Sequence, residues 1–88
     1  MKKVHLKIYG LVQGVNFRYY TKDLAEKLNL SGFIRNNLDG TVEIEAEGEE
    51  KSLKKIITFA KTGPQLAKVD NIEIHFKEPV GEKGFKVL

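Results

Sequence analysis

Val4, Leu6 and Ile8 alternate with His5, Lys7 and Tyr9, the period-two pattern of a strand with one face buried and one open. Phe17, Tyr20, Leu24 and Leu28 then recur at helical spacing with Ala25 beside them, which predicts a helix over roughly 17–29. Asn16 stands where an N-cap belongs and Asn29 where chains often leave a helix. Ser31-Gly32 breaks the helical pattern, and Phe33 to Asn37 reads as a short strand. Leu38-Asp39-Gly40 is a turn, and Val42 to Glu47 alternates cleanly, so the two runs form a hairpin closed at the Asp-Gly step. Gly48 ends it. Glu49 and Glu50 suit a helix N-terminus, Leu53, Ile56, Ile57 and Ala60 supply the apolar stripe, and Gly63 with Pro64 beyond it stops the helix. Ile72, Ile74 and Phe76 alternate with Glu73 and His75 in a fourth strand. Pro79 to Lys83 is loop, and Phe85 to Leu88 is a short final strand.

The order β-α-β-β-α-β reads as the α+β, ferredoxin-like split arrangement. It predicts an antiparallel sheet with two helices on one face and the other face open. The central strands should be the first and third, with the second beside the third near the loop that follows the first. At 88 residues, the whole of 1–88 is expected to be one domain with a single core, so a site must lie on a loop or a sheet face. The absence of cysteine excludes disulfides and thiolate zinc sites. No apolar run is long enough to span a membrane, and Met1-Lys2-Lys3 leads straight into strand pattern without a signal-peptide core, so a cytoplasmic home is expected. The net charge of +3 is spread along the chain and favours anionic ligands mildly.

The open face should carry His5, Lys7 and Tyr9, then Glu43, Glu45 and Glu47, then Glu73, His75 and Lys77. Three carboxylates on a central strand would repel a phosphate backbone, where an RNA-binding sheet of this topology offers aromatics; nucleic acid is not expected as a partner. The charges read instead as cross-strand pairs on a solvated face. His5 and His75 lie on strand interiors and Asp39 is explained by its turn, so none of them is chosen as a catalyst. No His, Asp and Glu grouping has metal-ligand spacing, and no Ser has a base partner. Neither a metal nor a cofactor is expected.

What remains is Tyr9-Gly10-Leu11-Val12-Gln13-Gly14-Val15-Asn16-Phe17-Arg18, an apolar strand running through two glycines into a helix. The glycines permit positive φ, and a helix start directs unpaired N–H groups and the positive end of its dipole back into the turn. Arg18, in the first helical turn, adds a forked, charged donor. The stretch reads as a cradle for phosphate or carboxylate, built from the backbone of Gln13, Gly14, Val15, Asn16 and Phe17 together with Arg18.

After the helix comes Gly32-Phe33-Ile34-Arg35-Asn36-Asn37-Leu38-Asp39-Gly40-Thr41-Val42-Glu43. Together the patterns G-x-V-Q-G-V-x-F-R and G-[FYW]-[IV]-x-N-x-x-D-G-[ST]-V-E resemble the two signature stretches of the acylphosphatase family. Ala46-Glu47-Gly48, Gly63-Pro64 and Gly84-Phe85 also match in order. The resemblance implies hydrolysis of an acyl phosphate to a carboxylate and inorganic phosphate, the latter also a competitive inhibitor, by a monomeric enzyme. It maps the family's phosphate-binding arginine onto Arg18 and its water-orienting asparagine onto Asn36. Residue types alone leave Asn37 as a rival; only the motif selects Asn36. Asn16 departs from the glycine found in many members and leaves the rim of the site open.

Two other readings stand beside this one. One is a catalytically silent anion-binding or regulatory module of the same fold. The other is an acylphosphatase-like domain of a larger carbamoyl-transferring hydrogenase-maturation protein, which the length of the chain and its lack of cysteines argue against.

Overall fold

The computed structural model describes residues 1–88. β1 spans Lys2–Leu11, α1 Phe17–Lys27, β2 Ser31–Asn36, β3 Val42–Gly48, α2 Glu50–Thr62, β4 Lys68–Lys77 and β5 Phe85–Val87. The sheet order is β4-β1-β3-β2-β5. β1 pairs antiparallel with β3 and β4, and β2 antiparallel with β3, as the element order predicts. β5 is different: it lies parallel to β2 at the far edge, which makes the complete sheet mixed.

The alternation in β1 and β3 sends Val4, Leu6, Ile8, Val42, Ile44 and Ala46 inward, all inaccessible to solvent. Leu53, Ile56 and Ala60 of α2 and Phe17 and Ala25 of α1 complete a core that lies wholly between the helices and the sheet.

Three local readings change. α1 ends at Lys27, two residues earlier than the apolar spacing suggested, and Asn29 leaves it in the left-handed region at φ 57. Ser31 and Gly32 belong to β2 rather than to a break, because the Gly32 amide donates to the Gly84 carbonyl at 2.9 Å. Tyr20 is 46% exposed, and the residues of α1 that face the sheet are Phe17, Thr21 and Ala25. Spacing of four keeps those three on one line of the helix, whereas Tyr20 falls on its flank.

The carboxylates of β3 do form cross-strand pairs, but the face is less solvated than expected. Lys3 and Lys77 each reach Glu45 at 3.0 Å, and His5 and Arg35 bond to Glu43 at 2.5 and 2.8 Å. Glu47 accepts the backbone N–H groups of Val80, Gly81 and Glu82 at 2.7, 2.8 and 3.1 Å. Glu47 thereby guides residues 78–84 from β4 at one edge to β5 at the other. The lysine stems and this crossing segment cover Glu45 and Glu47, which are only 9% and 5% exposed.

These contacts set the acid stability. Burial opposes ionisation of Glu43 and Glu45, but hydrogen bonds from His5 and Arg35, and from Lys3 and Lys77, outweigh it and hold both carboxyls below the ordinary range. The amide of Val80, with those of Gly81 and Glu82, does the same for Glu47. An unfolded chain, with ordinary carboxylates, binds more protons than the folded one as pH drops into that range. Stability present above the usual carboxylate pKa is therefore lost as pH falls through the lowered native values. The urea midpoint is expected to hold between about pH 7 and about pH 5 and to fall below it; a midpoint unchanged down to about pH 2 would contradict this linkage.

Candidate active site

The cradle begins where β1 loses its register against β4, between Tyr9 and Gly10. Gly10 adopts φ 127, and a Cβ there would lie 2.1 Å from the Lys68 carbonyl oxygen, so no side chain is tolerated. Gly14, at φ 74, has open space around it; only its backbone conformation demands glycine. Between them Val12 is buried, and the Gln13 amide donates to the carbonyls of Asn37 and Thr41 at 2.8 and 2.9 Å. The side chain of Gln13 thus braces the cradle against the β2–β3 hairpin.

Asn16 occupies the N-cap position but is left-handed, at φ 65 and ψ 23, and makes no side-chain capping bond. A capping side chain needs an extended backbone to reach the first-turn amides, so the expected cap does not form. The Asn16 carbonyl accepts the Tyr20 N–H at 3.1 Å, but the amides at the helix start stay free of a side-chain cap. Phe17 pins that start in place. It is 2% exposed, meets Phe59 edge to face at 5.7 Å, and packs over Gly63, where a Cβ would come within 2.6 Å of its ring.

A hollow of about 470 Å³ opens at this corner. Gly14, Asn16, Phe17 and Arg18 line it from the loop and helix start, and Asn36 lines it from the end of β2. Val12, Tyr19, Lys22 and Val87 complete the wall. Gln13 and Val15 are not among the lining residues; Val15 faces a second hollow beside the first.

Asn36 and Asn37 are in different situations. The Asn37 amide donates to Thr41 Oγ1 at 3.0 Å and its N–H to the Thr41 carbonyl at 2.9 Å. Asp39 completes the turn by accepting the Thr41 hydroxyl and amide at 2.6 and 3.0 Å. Those bonds from Thr41 hold the Asp39 carboxyl below the ordinary range. Asn36 Oδ1, by contrast, is buried and accepts no hydrogen bond. Such a group is costly to keep in a core and is commonly retained for what it does.

The acylphosphatase family model matches residues 4–87. This chain belongs to the acylphosphatase family. An acylphosphatase of Thermococcus kodakarensis is 47% identical over 100% of this chain and 99% of its own length. The crystal structure of acylphosphatase from Bacillus subtilis superposes with a TM-score of 0.95 at 35% identity, covering 100% of this chain and 99% of the other. Full-length HypF, in a phosphate- and nucleotide-bound form, matches with a TM-score of 0.91 at 38% identity, over 99% of this chain and 12% of HypF. The protein is accordingly an enzyme that hydrolyses the carboxyl–phosphate bond of acyl phosphates.

Acylphosphatase chemistry asks little of a general acid, because the leaving carboxylate is stable as an anion near neutral pH, its conjugate acid ionising near pH ~4. The phosphoryl oxygens must be held, their charge offset and a water placed. The hollow offers amide donors at a helix start, the Arg18 guanidinium, the Lys22 ammonium, and the side-chain amides of Asn16 and Asn36. The other arginine, Arg35, is held by Glu43 at 2.8 Å on the open face. His5 and His75 face each other across the β1–β4 ladder, and neither lines the hollow. No three His, Asp or Glu side chains gather where they could hold a metal. No helix is long and apolar enough to cross a membrane.

Sequence reasoning passed over Tyr19, Lys22 and Val87. Lys22 lies four residues after Arg18 and so on the same helix face, a signal present in the spacing. Val87 reaches the hollow only because β5 lies beside β2, which no local pattern announces.

Proposed function

We propose that this acylphosphatase holds the phosphoryl group of its substrate on the backbone N–H groups of Gly14, Asn16, Phe17 and Arg18 and on the Arg18 guanidinium, while the Asn36 amide orients a water for in-line attack. The observation that carries this is the meeting of Arg18 and Asn36 in one hollow, with Asn37 committed to the hairpin. Two or more donors aimed at the phosphoryl oxygens supply the charge stabilisation that a loose phosphoryl-transfer transition state requires. The Asn36 amide contributes position rather than proton transfer. The carboxylate departs with its bonding electrons, and the attacking water gives up its proton to solvent or to the phosphate formed.

The same site binds the product, so inorganic phosphate acts as a competitive inhibitor. Titrating phosphate into the labelled enzyme is expected to shift the amide resonances of 14–18 and to leave those of the 78–84 crossing unmoved; shifts confined elsewhere would sink the cradle. Hydrolysis is expected to survive a chelator, since the hollow presents no carboxylate or imidazole for a cation. Loss of turnover that a divalent ion restores would overturn the scheme. One continuous core supports reading 1–88 as one domain, and we take it to act as a cytoplasmic monomer on a small acyl phosphate.

A further inference from the structure

β4 is the long edge of the sheet. It lies at one end of the strand order and pairs only with β1, and none of its ten residues is buried. The backbone bonds made outside helices and strands do not involve 68–77, so the outer N–H and C=O groups of β4 meet no other part of the chain. The opposite edge is protected by its shortness: β5 has three residues, and its Phe85 is buried. Native edges are commonly blunted in that way, or by proline, a bulge or a charge turned inward. β4 has its bulge at one end, where the register shifts beside Gly10. From Asn71 to Lys77 its pairing with β1 is regular, and the run contains no proline or glycine. Ile72, Ile74 and Phe76 share the helix side with Ile8, Leu6 and Val4, so no charge guards that side, and Phe76 is 62% exposed.

We propose that the 71–77 edge pairs antiparallel with the same edge of a second copy of this chain, about a two-fold axis at Ile74, joining two sheets into one. The strand is self-complementary in that register. On the helix side Ile72 meets the partner's Phe76 and Ile74 meets its own copy, which covers the apolar stripe. On the open side Glu73 meets the partner's His75, and the symmetry makes that pair twice. An imidazole N–H donates to a carboxylate in either protonation state. Both groups have capacity for it: Glu73 accepts the Tyr9 hydroxyl on one oxygen at 2.9 Å, and the imidazole beside His75 on the ladder, His5, is already bonded to Glu43. Moving the axis to Glu73 or to His75 would set two carboxylates or two imidazoles against each other and pair a shorter run. A contact of 71–77 on each copy falls well short of the about 20–30 residues a side in a stable complex. The association is therefore weak, and the dilute enzyme acts as a monomer. The catalytic hollow takes its strand residues, Asn36 and Val87, from β2 and β5 at the other edge, so each copy keeps its own hollow open.

The test is sedimentation equilibrium from about 10 μM to about 2 mM protein, a range that brackets weak association. It compares the wild type, Glu73→Lys, His75→Glu, and the exchange variant Glu73→Lys/His75→Glu. Both positions are exposed, and circular dichroism verifies each fold. The wild type is expected to form a dimer and nothing larger, with a Kd of about 0.1–1 mM, because a two-fold contact closes on itself. Glu73→Lys removes the acceptor and sets an ammonium against the imidazole; His75→Glu sets two carboxylates together. Each acts at both symmetric pairs and should weaken the dimer by about tenfold or more. The exchange variant restores opposite partners at both pairs and should recover the wild-type Kd to within about threefold. Turnover at dilute enzyme should be the same in all four, since β4 does not line the hollow. A wild type that stays monomeric at the highest concentration overturns the proposal, as does growth past the dimer. Single variants that associate like the wild type, or an exchange variant as weak as the single ones, would place the contact on another surface or register and overturn it too.

Discussion

Asn36→Ala is expected to lower kcat on the order of 10²-fold or more, the size seen when a positioned hydrogen-bonding group is removed from an active site. The inhibition constant of phosphate should barely move, because orienting a water matters most as the transition state forms. The substitution should not destabilise the fold. Asn36 Oδ1 is buried without a partner, so replacing it with a methyl removes an unsatisfied acceptor and breaks no bond. A melting temperature unchanged or slightly raised, beside a collapsed kcat, would mark the residue as kept for catalysis against the interest of stability. Asn37→Ala should behave oppositely. It loses the bond to Thr41 Oγ1 and loosens the hairpin, costing about 1 kcal/mol of stability, while turnover stays within a few-fold. If Asn37→Ala abolishes turnover and Asn36→Ala does not, the water belongs to the neighbouring residue. If neither matters, water positioning belongs to another element altogether.

Arg18→Ala should lower kcat/KM on the order of 10³-fold or more, as for other guanidinium groups that stabilise a transferring phosphoryl group. It should also weaken phosphate inhibition. Arg18 is proposed to contact the phosphoryl oxygens in the bound substrate, in the transition state and in the product, so binding and rate should fall together, in contrast to Asn36. Arg18→Lys should recover little, since an ammonium supplies a point charge but not the fork that spans two oxygens. Lys22 sharpens the comparison. It lines the same hollow one turn along α1 and leaves a cation present when Arg18 is removed. Residual phosphate binding in Arg18→Ala that disappears in Arg18→Ala/Lys22→Gln would separate general attraction from the forked contact. If Arg18→Lys instead retains nearly full turnover, charge alone suffices and the bidentate geometry is wrong.

Much of this was open to inspection in the residues themselves, because it depends on short stretches of chain. The alternation of Val4, Leu6 and Ile8 determines which face of β1 is buried. Gly10 and Gly14 mark the turns, and Arg18 follows them within one helical turn, so the cradle is contiguous in sequence and is formed by local geometry. The Asp-Gly step closes the hairpin, and Gly63 ends α2 with φ 70, the conformation a stop glycine supplies.

The rest was decided where distant segments meet. Asn36 and Asn37 are chemically identical, and what distinguishes them is position: Asn36 pairs with Val42 at the last rung of the β2–β3 ladder and lines the hollow, while Asn37 belongs to the turn. Sequence singles out Gln13 for its backbone N–H; that its side chain braces two loops, neighbours only in space, is visible only in the fold. Asn16 has the residue type of a cap, yet the sharp entry from the cradle into α1 holds it left-handed and denies it that role. The parallel seat of β5 follows from a crossing held by Glu47, a residue whose own strand pattern says only that it points away from the core. Periodicity and turn chemistry act over a few residues and are written along the chain. Which side chains share a hollow depends on strand order and on register at strand ends, and those are settled when the core closes.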